Sequence, residues 1–317
     1  MIKYTIIIAH YNTPDLLERL LTTIPCRRDL QIIVVDDCTE LNGWRERFMN
    51  KYPDIELYST DSNSGPGVAR NLGIRYAEGE YILFADADDY FNPCIDLILD
   101  EYLPSDYDVV YFNANSVDSS TYLFSSRAAD RNAAFSSLKT EDANRFRYRF
   151  TTPWGKLIRR GLLIDNNITF DDSRISEDVI FSTKVDTCAE SLCSDSRCVY
   201  CVTSRENSLS RPVDPVLRLE KFRIDCKRYM FLHDKGLENK VPCTGIGEGL
   251  HYLYSTGDKS VLKEGYRLCE SMGISQWKVR KEILIQYTRF HLMDFIAKIL
   301  PERFWRIMAN VMVIKNL

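Results

Sequence analysis

Apolar runs alternate with helix-like patterns along the first part of the chain. Four runs have the length and composition of buried strands, and they lie at 4–9, 31–35, 55–58 and 81–85. Three stretches with helical spacing or helix-start signals separate them, at about 13–21, 44–51 and 67–77. This alternation predicts an α/β fold with a wound, mainly parallel sheet flanked by helices.

The pattern changes further along the chain. A helix at about 92–103 and a strand at 109–113 continue the alternation, whereas 115–144 is weakly patterned and is expected to form a variable loop or strand insert. The last third has helical spacing with irregular linkers, at 217–234, 261–272 and 278–300. We therefore predict two domains, 1–213 with the wound sheet and 214–317 as a C-terminal helical region.

Composition and charge exclude some classes of protein. The 317 residues are 45% hydrophobic and 27% charged, which is ordinary for a globular protein. A formal net charge of -4 provides no basic field, so nucleic acid is not an expected partner. The apolar run at 5–9 is too short for an export leader, and no run approaches a membrane-spanning length. We therefore expect a cytoplasmic location.

Ten cysteines raise the question of disulfides or a metal centre. Without an export signal, reduced thiols are expected. Cys188, Cys193, Cys198 and Cys201 contain one C-x-x-C pair, but a structural zinc site normally needs two close pairs or added histidines. Buried thiols are the expected state, with zinc as the weaker alternative.

Acidic side chains follow two of the predicted strands where those strands end. Two acids follow the second apolar run and three follow the fourth: Asp36, Asp37, Asp86, Asp88 and Asp89. Because ligands of wound sheets bind beyond the carboxyl ends of the strands, we expect these acids, apart from Asp89, to form one site. Clustered carboxylates need counter-charge, and Mg²⁺ or Mn²⁺ prefers oxygen ligands. The pattern favours a metal-diphosphate site; the alternative is an acidic turn before a helix starting at Asn92-Pro93.

Five segments, taken in order, resemble the motifs of one enzyme family. They are Ile6 to Asn12, Val34 to Asp37, Asn63 to Asn71, Asp86 to Asp89 and Ser176 to Asp178. Each is weak alone, but together they are specific and cover about the first two-thirds of the chain. The chain thereby resembles an inverting family 2 glycosyltransferase with a GT-A fold, of the bacterial surface-polysaccharide type. The resemblance implies a nucleotide-sugar donor, Mn²⁺ or Mg²⁺, and transfer with inversion at the anomeric carbon.

The resemblance implies nucleotide-binding roles near the first strands. Asp37 would read the nucleobase while Asp36 supports the loop, and Tyr11 would pack against the base. Asn12, beside Tyr11, is also expected to bind the nucleotide-sugar. Relatives often carry a small hydroxyl residue where this chain has Ala9-His10, so one polar contact to the base would be missing. The alternatives are an Asx-turn for Asp37 and core packing for Tyr11.

Arg70 and Asn71 lie in a helix opened by a glycine-rich turn. By resemblance they lie near the nucleotide, with Arg70 holding the base or backing the carboxylates; a surface ion pair is the alternative. Dinucleotide folds also hold pyrophosphate at such a turn. Their G-x-G-x-x-G signature follows the first strand, however, whereas here the motif follows the third strand and has Arg70 in the third glycine position. A dinucleotide site is therefore not predicted.

The resemblance also assigns residues to the metal and the diphosphate. Asp88 would ligate the metal directly, and Asp86 would contact the ribose or reach the metal through water. The ion would offset charge on the departing nucleoside diphosphate. The family often supplies a late histidine, but this chain has Arg205 and Arg211 in the corresponding stretch, and either is expected to grip the diphosphate. The alternative for both arginines is a solvated loop.

Inversion in one displacement requires a base for the acceptor hydroxyl. Asp178, in the Glu177-Asp178 pair at a helix start, fits this role by position in the motif, and Glu177 is expected to be catalytic with it. The alternative is helix N-terminal electrostatics, since acids are favoured in the first turn. Trp154 is expected to form a platform for a sugar face of the acceptor, and its alternative is core filling.

The expected function is metal-dependent inverting transfer of a sugar from a nucleotide-sugar donor, with a UDP-sugar as the first choice. The acceptor would be a hydroxyl of a glycan or lipid-linked molecule, in surface polysaccharide or glycolipid synthesis. A sugar-nucleotide pyrophosphorylase is one alternative, but 10–14 lacks the glycine- and basic-rich phosphate loop that such enzymes carry after the first strand. A non-catalytic nucleotide- or sugar-binding module is the other.

The C-terminal tail is basic and apolar in an acidic protein. Residues 278–317 contain eight Lys and Arg against three Asp and Glu, with many apolar residues between them. We expect a peripheral contact with an anionic membrane, on the inner face of the cytoplasmic membrane. The alternative is packing within the helical domain or at a dimer contact, and the motifs do not determine the oligomeric state.

Overall fold

The structure consists of two compact units along the chain. This computed structural model describes residues 1–103, 105–137, 143–205, 214–239, 241, 245–254 and 257–281. The units are Met1–Glu206 and Asn207–Leu317. The sequence analysis placed the boundary at 213/214, seven residues further along.

An eight-stranded sheet forms the first unit. The strands are β1 (Tyr4–His10), β2 (Leu30–Asp36), β3 (Glu56–Ser59), β4 (Tyr81–Asp86), β5 (Tyr90–Phe91), β6 (Val109–Asp118), β7 (Lys156–Arg159) and β8 (Leu192–Ser204). Their order across the sheet is β3-β2-β1-β4-β7-β6-β8-β5. The helices are α1 (Pro14–Leu21), α2 (Trp44–Lys51), α3 (Pro66–Tyr76), α4 (Ile95–Tyr102), α5 (Ala129–Ser137), α6 (Arg160–Asp165) and α7 (Glu177–Cys188), with a 3₁₀ turn at Ala143–Phe146.

The first half of the sheet is parallel, as the alternating pattern predicted. β2 and β4 both pair with β1, and β3 pairs with β2. The register places His10 opposite Asp36 and Ala9 opposite Asp86. Because these pairs end their ladders together, the acids after β2 and β4 lie at one edge of the sheet.

Apolar side chains cover both faces of this half of the sheet. Ile6 and Ile8 pack in one cluster with Leu20 of α1, while Ile7 packs in a second cluster with Ala69 of α3. Neighbouring side chains of a strand point to opposite faces, so both faces of β1 are buried. The continuous apolar run of β1 has this physical cause, and the wound α/β arrangement is confirmed.

The second half of the sheet is mixed. β7 lies antiparallel between β4 and β6, and β8 pairs in parallel with β6 and antiparallel with β5. The sequence analysis did not predict β8, whose first half contains the polar run Ser194 to Arg197. It also ended β6 too early, because pairing with β8 continues the strand to Asp118. Part of the expected loop or insert at 115–144 is therefore strand β6 and helix α5.

The second unit is helical in its described part. Its helices are α8 (Pro215–Asp234), α9 (Ile246–Tyr254) and α10 (Lys259–Ser271). They pack around an apolar cluster that includes Phe222, Leu250 and Cys269. α8 begins where Asp214 accepts a hydrogen bond from the Val216 N–H at 2.7 Å, which is an N-cap followed by proline. The predicted helices at 217–234 and 261–272 are confirmed.

Two further expectations concern membranes and thiols. Within the described ranges, no helix combines the length and the apolar character needed to cross a bilayer. Each cysteine that the structure describes is a free thiol. The basic apolar tail beyond residue 281, to which we assigned membrane contact, lies outside the described residues and stays a prediction.

Candidate active site

His10 and Asp36 form a buried pair at the edge of the sheet. Nδ1 of His10 lies 3.0 Å from Oδ1 of Asp36, and both residues are less than 5% exposed. The Thr39 hydroxyl and N–H also donate to Asp36. Burial alone would raise the pKa of Asp36, but these hydrogen bonds hold it below its usual value. Asp36 thus has the loop-supporting contacts predicted for it.

The Asp37 carboxylate accepts hydrogen bonds from the loop that precedes α3. Oδ1 accepts the Ser64 N–H at 3.0 Å and the Thr60 hydroxyl at 2.7 Å, and Oδ2 accepts the Gly65 N–H at 2.7 Å. The residue is 4% exposed. Such contacts match the alternative reading of Asp37 as a turn-forming residue. Its contact with a nucleobase stays a prediction.

Tyr11 and Asn12 lie beyond the end of β1 on the same rim. Tyr11 is 40% exposed, so its ring is accessible to a ligand. Asn12 has φ +52°, its N–H donates to the Thr39 hydroxyl at 2.9 Å, and its Oδ1 accepts the Glu40 N–H at 3.1 Å. Asparagine tolerates this left-handed conformation better than most residues. Asn12 therefore fixes the turn that presents Tyr11.

Arg70 joins two of the predicted motifs. Its Nη2 lies 2.6 Å from Oδ1 of Asp86, and its Nη1 lies 2.6 Å from Oε1 of Glu177. Arg70 is 4% exposed and Glu177 is 7% exposed, so their ion pair is buried, while Asp86 is partly exposed. The resemblance implied that Arg70 either holds the base or supports the carboxylates. The structure shows the second role, since Arg70 pairs with Asp86 and Glu177.

Asn71 and Gly67 hold α3 against the segment that leads to α7. The Asn71 side chain donates to the Phe170 carbonyl at 3.0 Å and accepts the Phe170 N–H at 2.8 Å. A Cβ on Gly67 would lie 2.4 Å from the Asp171 carbonyl oxygen and 2.9 Å from Cγ of Glu177. Asn71 thus braces the backbone near the site, and its predicted nucleotide contact stays a prediction.

The acidic turn after β4 presents Asp86 and Asp88 with arginine partners. Asp88 Oδ2 lies 2.9 Å from Nη2 of Arg205, in a pair that is partly exposed to solvent. Burial and the nearby Asp86 carboxylate raise the pKa of Asp88, and Arg205 and Arg127 oppose that shift. An acid that is buried beside another acid has excess negative charge to offset, which is the electrostatic condition for binding a cation.

Asp89 has a different role from the other two acids of the turn. It is 2% exposed and its Oδ1 accepts the Thr203 N–H at 2.7 Å. Burial and the carboxylates of Asp88 and Asp86 raise its pKa well above the usual value. Asp89 therefore ties the acidic turn to β8 and does not face a ligand.

The residues present fit a metal that arrives with a diphosphate. In the described part of the chain, no group of three or more His, Cys, Asp or Glu side chains is placed to hold an ion. Mg²⁺ is commonly bound by one or two carboxylates, substrate phosphates and water. Asp88 and Asp86 supply such a set, and the exposed partner of Asp88, Arg205, is a counter-ion that a metal-diphosphate could replace.

Glu177 and Asp178 begin α7 in a strained turn. Ser176 has φ +57°, which is uncommon for a non-glycine residue and is found more often at functional sites. Asp178 is partly buried. Burial and the adjacent Glu177 carboxylate raise its pKa to about 7, while Arg70 opposes the shift. A carboxylate with this pKa is matched to general-base work near neutral pH.

Trp154 packs under the acidic turn. It is 8% exposed, and its ring stacks on Tyr200 at a centroid distance of 5.5 Å with 13° between the planes. This is the core packing given as its alternative, and an acceptor contact would be limited to the exposed edge. Arg211, the other predicted diphosphate contact, lies outside the described residues.

Sequence reasoning missed three residues that hold the acidic turn. Tyr200 and Thr203 lie on β8, which was not predicted, and both contact the turn. Arg19 of α1 donates to the Asp88 carbonyl and to the Ser119 carbonyl. No local pattern marks them, because their contacts span 69 to 115 residues of sequence.

Comparison with known proteins decides the family. The model of Glycosyl transferase family 2 matches residues 5–166, about half of the chain. The chain belongs to glycosyl transferase family 2. The match covers β1 to β7 and includes the acidic turn, and Glu177 and Asp178 lie beyond it.

Curated relatives in this family act on different acceptors. The poly(ribitol-phosphate) beta-N-acetylglucosaminyltransferase TarS of Staphylococcus aureus (strain Mu50) is 29% identical over 221 residues, which are 65% of this chain and 36% of TarS. This chain thus matches about a third of that relative's length. The cholesterol galactosyltransferase of Borreliella burgdorferi is 25% identical, over 70% of this chain and 66% of that protein.

Solved structures confirm the fold. The crystal structure of S. aureus TarS 1-349 in complex with UDP-GlcNAc has a TM-score of 0.58 and 21% identity, covering 92% of both chains. The mannosyltransferase PcManGT from Pyrobaculum calidifontis, in complex with GDP-Man and Mn²⁺, has a TM-score of 0.50 and 14% identity, covering 98% of this chain and 80% of that one. The GT-A type architecture predicted from the sequence is therefore confirmed.

Proposed function

We propose that this protein is an inverting glycosyltransferase that moves a sugar from a nucleotide-sugar donor, a UDP-sugar first, to an acceptor hydroxyl. Family membership supports glycosyl transfer as the reaction class. TarS, which was crystallised with UDP-GlcNAc and with UDP, supports a uridine nucleotide as the first donor to test.

The observation that carries the proposal is the double ion pair of Arg70. One guanidinium binds Asp86 of the acidic turn and Glu177, the neighbour of Asp178. The donor-binding end and the proposed base, Asp178, are thus fixed in one frame. A reaction that needs a leaving group and a nucleophile in line requires such fixed positions.

Each charged residue then has a defined role. Asp88 and Asp86 would hold Mn²⁺ or Mg²⁺, which supplies Lewis-acid stabilisation to the departing diphosphate. Arg205, which pairs with Asp88, would pair instead with a phosphate oxygen of the donor. Asp178 takes the proton of the acceptor hydroxyl as the new glycosidic bond forms, and Tyr11 offers an exposed ring to the nucleobase.

The acceptor is proposed as a glycan or lipid-linked molecule in surface polysaccharide or glycolipid synthesis. The names of the relatives, one acting on poly(ribitol-phosphate) and another on cholesterol, show that family members use dissimilar acceptors. Action at the inner face of the cytoplasmic membrane is part of this proposal and rests on the sequence of the tail.

The test is a thermal-shift panel of nucleoside diphosphates and nucleotide sugars, with and without Mn²⁺, followed by product analysis. We expect stabilisation by one nucleotide class in a Mn²⁺-dependent manner, and release of its nucleoside diphosphate when an acceptor is added. Inversion is checked by the anomeric configuration of the product, which should be opposite to that of the donor. Pyrophosphate release from a nucleoside triphosphate and a sugar phosphate would instead identify a pyrophosphorylase.

A further inference from the structure

The end of β8 contacts the acidic turn at three points. The Tyr200 hydroxyl accepts the Asp86 N–H at 2.8 Å. The Thr203 hydroxyl donates to the Asp88 carbonyl at 2.7 Å, and the Thr203 N–H donates to Asp89 Oδ1 at 2.7 Å. Each acid of the turn is therefore fixed through its backbone or its side chain by one strand.

Tyr200 is itself held on both sides. It is fully buried, its ring stacks on Trp154, and Phe91 contacts it edge-on at a centroid distance of 5.3 Å. A ring packed in this way cannot shift without disturbing the core. The phenol oxygen is consequently a fixed point against which the end of β4 is positioned.

The direction of the Asp86 backbone decides where its carboxylate points. Asp86 is the last residue of β4, where ladder pairing ends and the chain turns. Its carboxylate reaches Arg70, while that of Asp88, two residues on, reaches Arg205. A turn that lost its anchor at Asp86 would no longer hold the two carboxylates in this arrangement.

We propose that Tyr200 is a positioning residue for the metal-diphosphate site. Its hydroxyl sets the Asp86 backbone, and through it the geometry of the Asp86 and Asp88 carboxylates. The inference rests on the proposed function, because it assumes that these carboxylates hold a cation with the donor. Tyr200 acts through the Asp86 backbone and does not touch the donor or the acceptor.

Thr203 provides an internal comparison. The Asp88 carbonyl that accepts its hydroxyl also accepts a hydrogen bond from Arg19. Loss of the Thr203 hydroxyl therefore leaves that carbonyl with a donor, whereas loss of the Tyr200 hydroxyl removes the Asp86 N–H partner. Thr203→Val, which keeps shape and backbone, is expected to change metal binding less than Tyr200→Phe.

The matched control is Tyr4→Phe. Tyr4 is also fully buried, and its hydroxyl donates to the Leu99 carbonyl at 2.6 Å, away from the acidic turn. Both substitutions remove one buried hydroxyl and keep the ring, so they separate a general loss of stability from a specific effect on the site.

The experiment titrates Mn²⁺ against wild type and the three variants at fixed UDP, following the melting temperature, and measures the melting temperature of each protein alone. We expect Tyr200→Phe to raise the Mn²⁺ concentration for half-maximal stabilisation by about 10- to 100-fold, the usual effect of losing a group that orients a metal ligand. Tyr4→Phe should lower the melting temperature of the free protein comparably and leave the Mn²⁺ dependence unchanged.

Each outcome decides a different claim. An unchanged Mn²⁺ dependence in Tyr200→Phe, with a normal response in wild type, overturns the role of Tyr200 and leaves the proposed function standing. An equal shift in Tyr4→Phe also overturns it, because the effect would then be general. If wild type shows no Mn²⁺-dependent response to any nucleoside diphosphate, the metal site and the inference fall together.

Discussion

The side chains of Arg70 and Glu177 lie 2.6 Å apart, although 107 residues separate them in the sequence. The same guanidinium holds Asp86 at 2.6 Å, so one cation stabilises two acids from different motifs. Arg70 is 4% exposed. Removing one member of a buried ion-pair network strongly destabilises the fold, because the remaining charge is left buried without a partner. The pairing therefore links the stability of the first unit to the integrity of its candidate site.

Arg70→Met should lower the free energy of unfolding by about 3–5 kcal/mol, because it leaves the buried carboxylate of Glu177 and the partly buried one of Asp86 without their counter-charge. Urea denaturation at pH 7.5 measures this. Arg70→Lys should also lose stability, since an ammonium cannot reproduce the two-pronged contact. The control is Lys51→Met, which breaks an exposed pair with Glu18 and should cause no measurable change. A similar loss in both Met variants would contradict the network.

Asp88→Asn should abolish Mn²⁺-dependent stabilisation by a nucleoside diphosphate and keep the melting temperature of the free protein near that of wild type. The substitution relieves repulsion with Asp86 and gives up only a partly exposed pair with Arg205, so the fold loses little. Thermal shift with and without Mn²⁺ checks both statements. Wild-type metal dependence in this variant would remove Asp88 from the site.

Asp178→Asn should keep donor and metal affinity and lose most of the transfer rate, by about 10²- to 10⁴-fold if proton abstraction is its role. Burial and Glu177 raise the pKa of Asp178 to about 7, so the wild-type kcat/KM should rise with pH and level off above pH 7. The variant should lose this dependence. Transfer within a few-fold of wild type would assign the base to Glu177 or another acid.

The same raised pKa predicts a stability effect of known sign. Folding raises the pKa of the Asp178 carboxyl from its ordinary value of 3.8 to about 7. Its contribution to the free energy of unfolding therefore falls as the pH rises from 3.8 to 7, and above pH 7 the ionised group destabilises the folded state. Asp178→Asn removes that penalty. The melting temperature of Asp178→Asn should therefore equal or exceed that of wild type at pH 8, and a clear decrease would show that ionised Asp178 stabilises the fold.

Gly67→Ala should destabilise the first unit by about 1–3 kcal/mol, because its Cβ would lie 2.4 Å from the Asp171 carbonyl oxygen and would push α3 away from α7. Gly161→Ala in α6 is the control, since the nearest atom would be 3.7 Å away. That variant should be neutral or stabilised by up to about 1 kcal/mol. Denaturation of both proteins tests the close packing of α3; equal stability would contradict it.

The sequence by itself determined the parallel half of the sheet. Continuous apolar runs at β1, β2 and β4 reflect burial on both faces, and this constraint acts locally on residue choice. The acids at the strand ends were equally readable, because parallel strands bring their carboxyl ends to one edge. The order of the motifs, from β1 to the start of α7, indicated the family that the comparison confirmed.

Only the tertiary structure decided which partner each acid has. Asp37 turned out to bind the loop at Thr60 to Gly65, and Arg70 turned out to join Asp86 to Glu177. The tertiary structure also revealed β8, which the apolar pattern did not predict because its first half is polar. Tyr200 of β8 accepts a hydrogen bond from the acidic turn. Such contacts depend on register and on packing between segments about 100 residues apart, and no local pattern records that distance information.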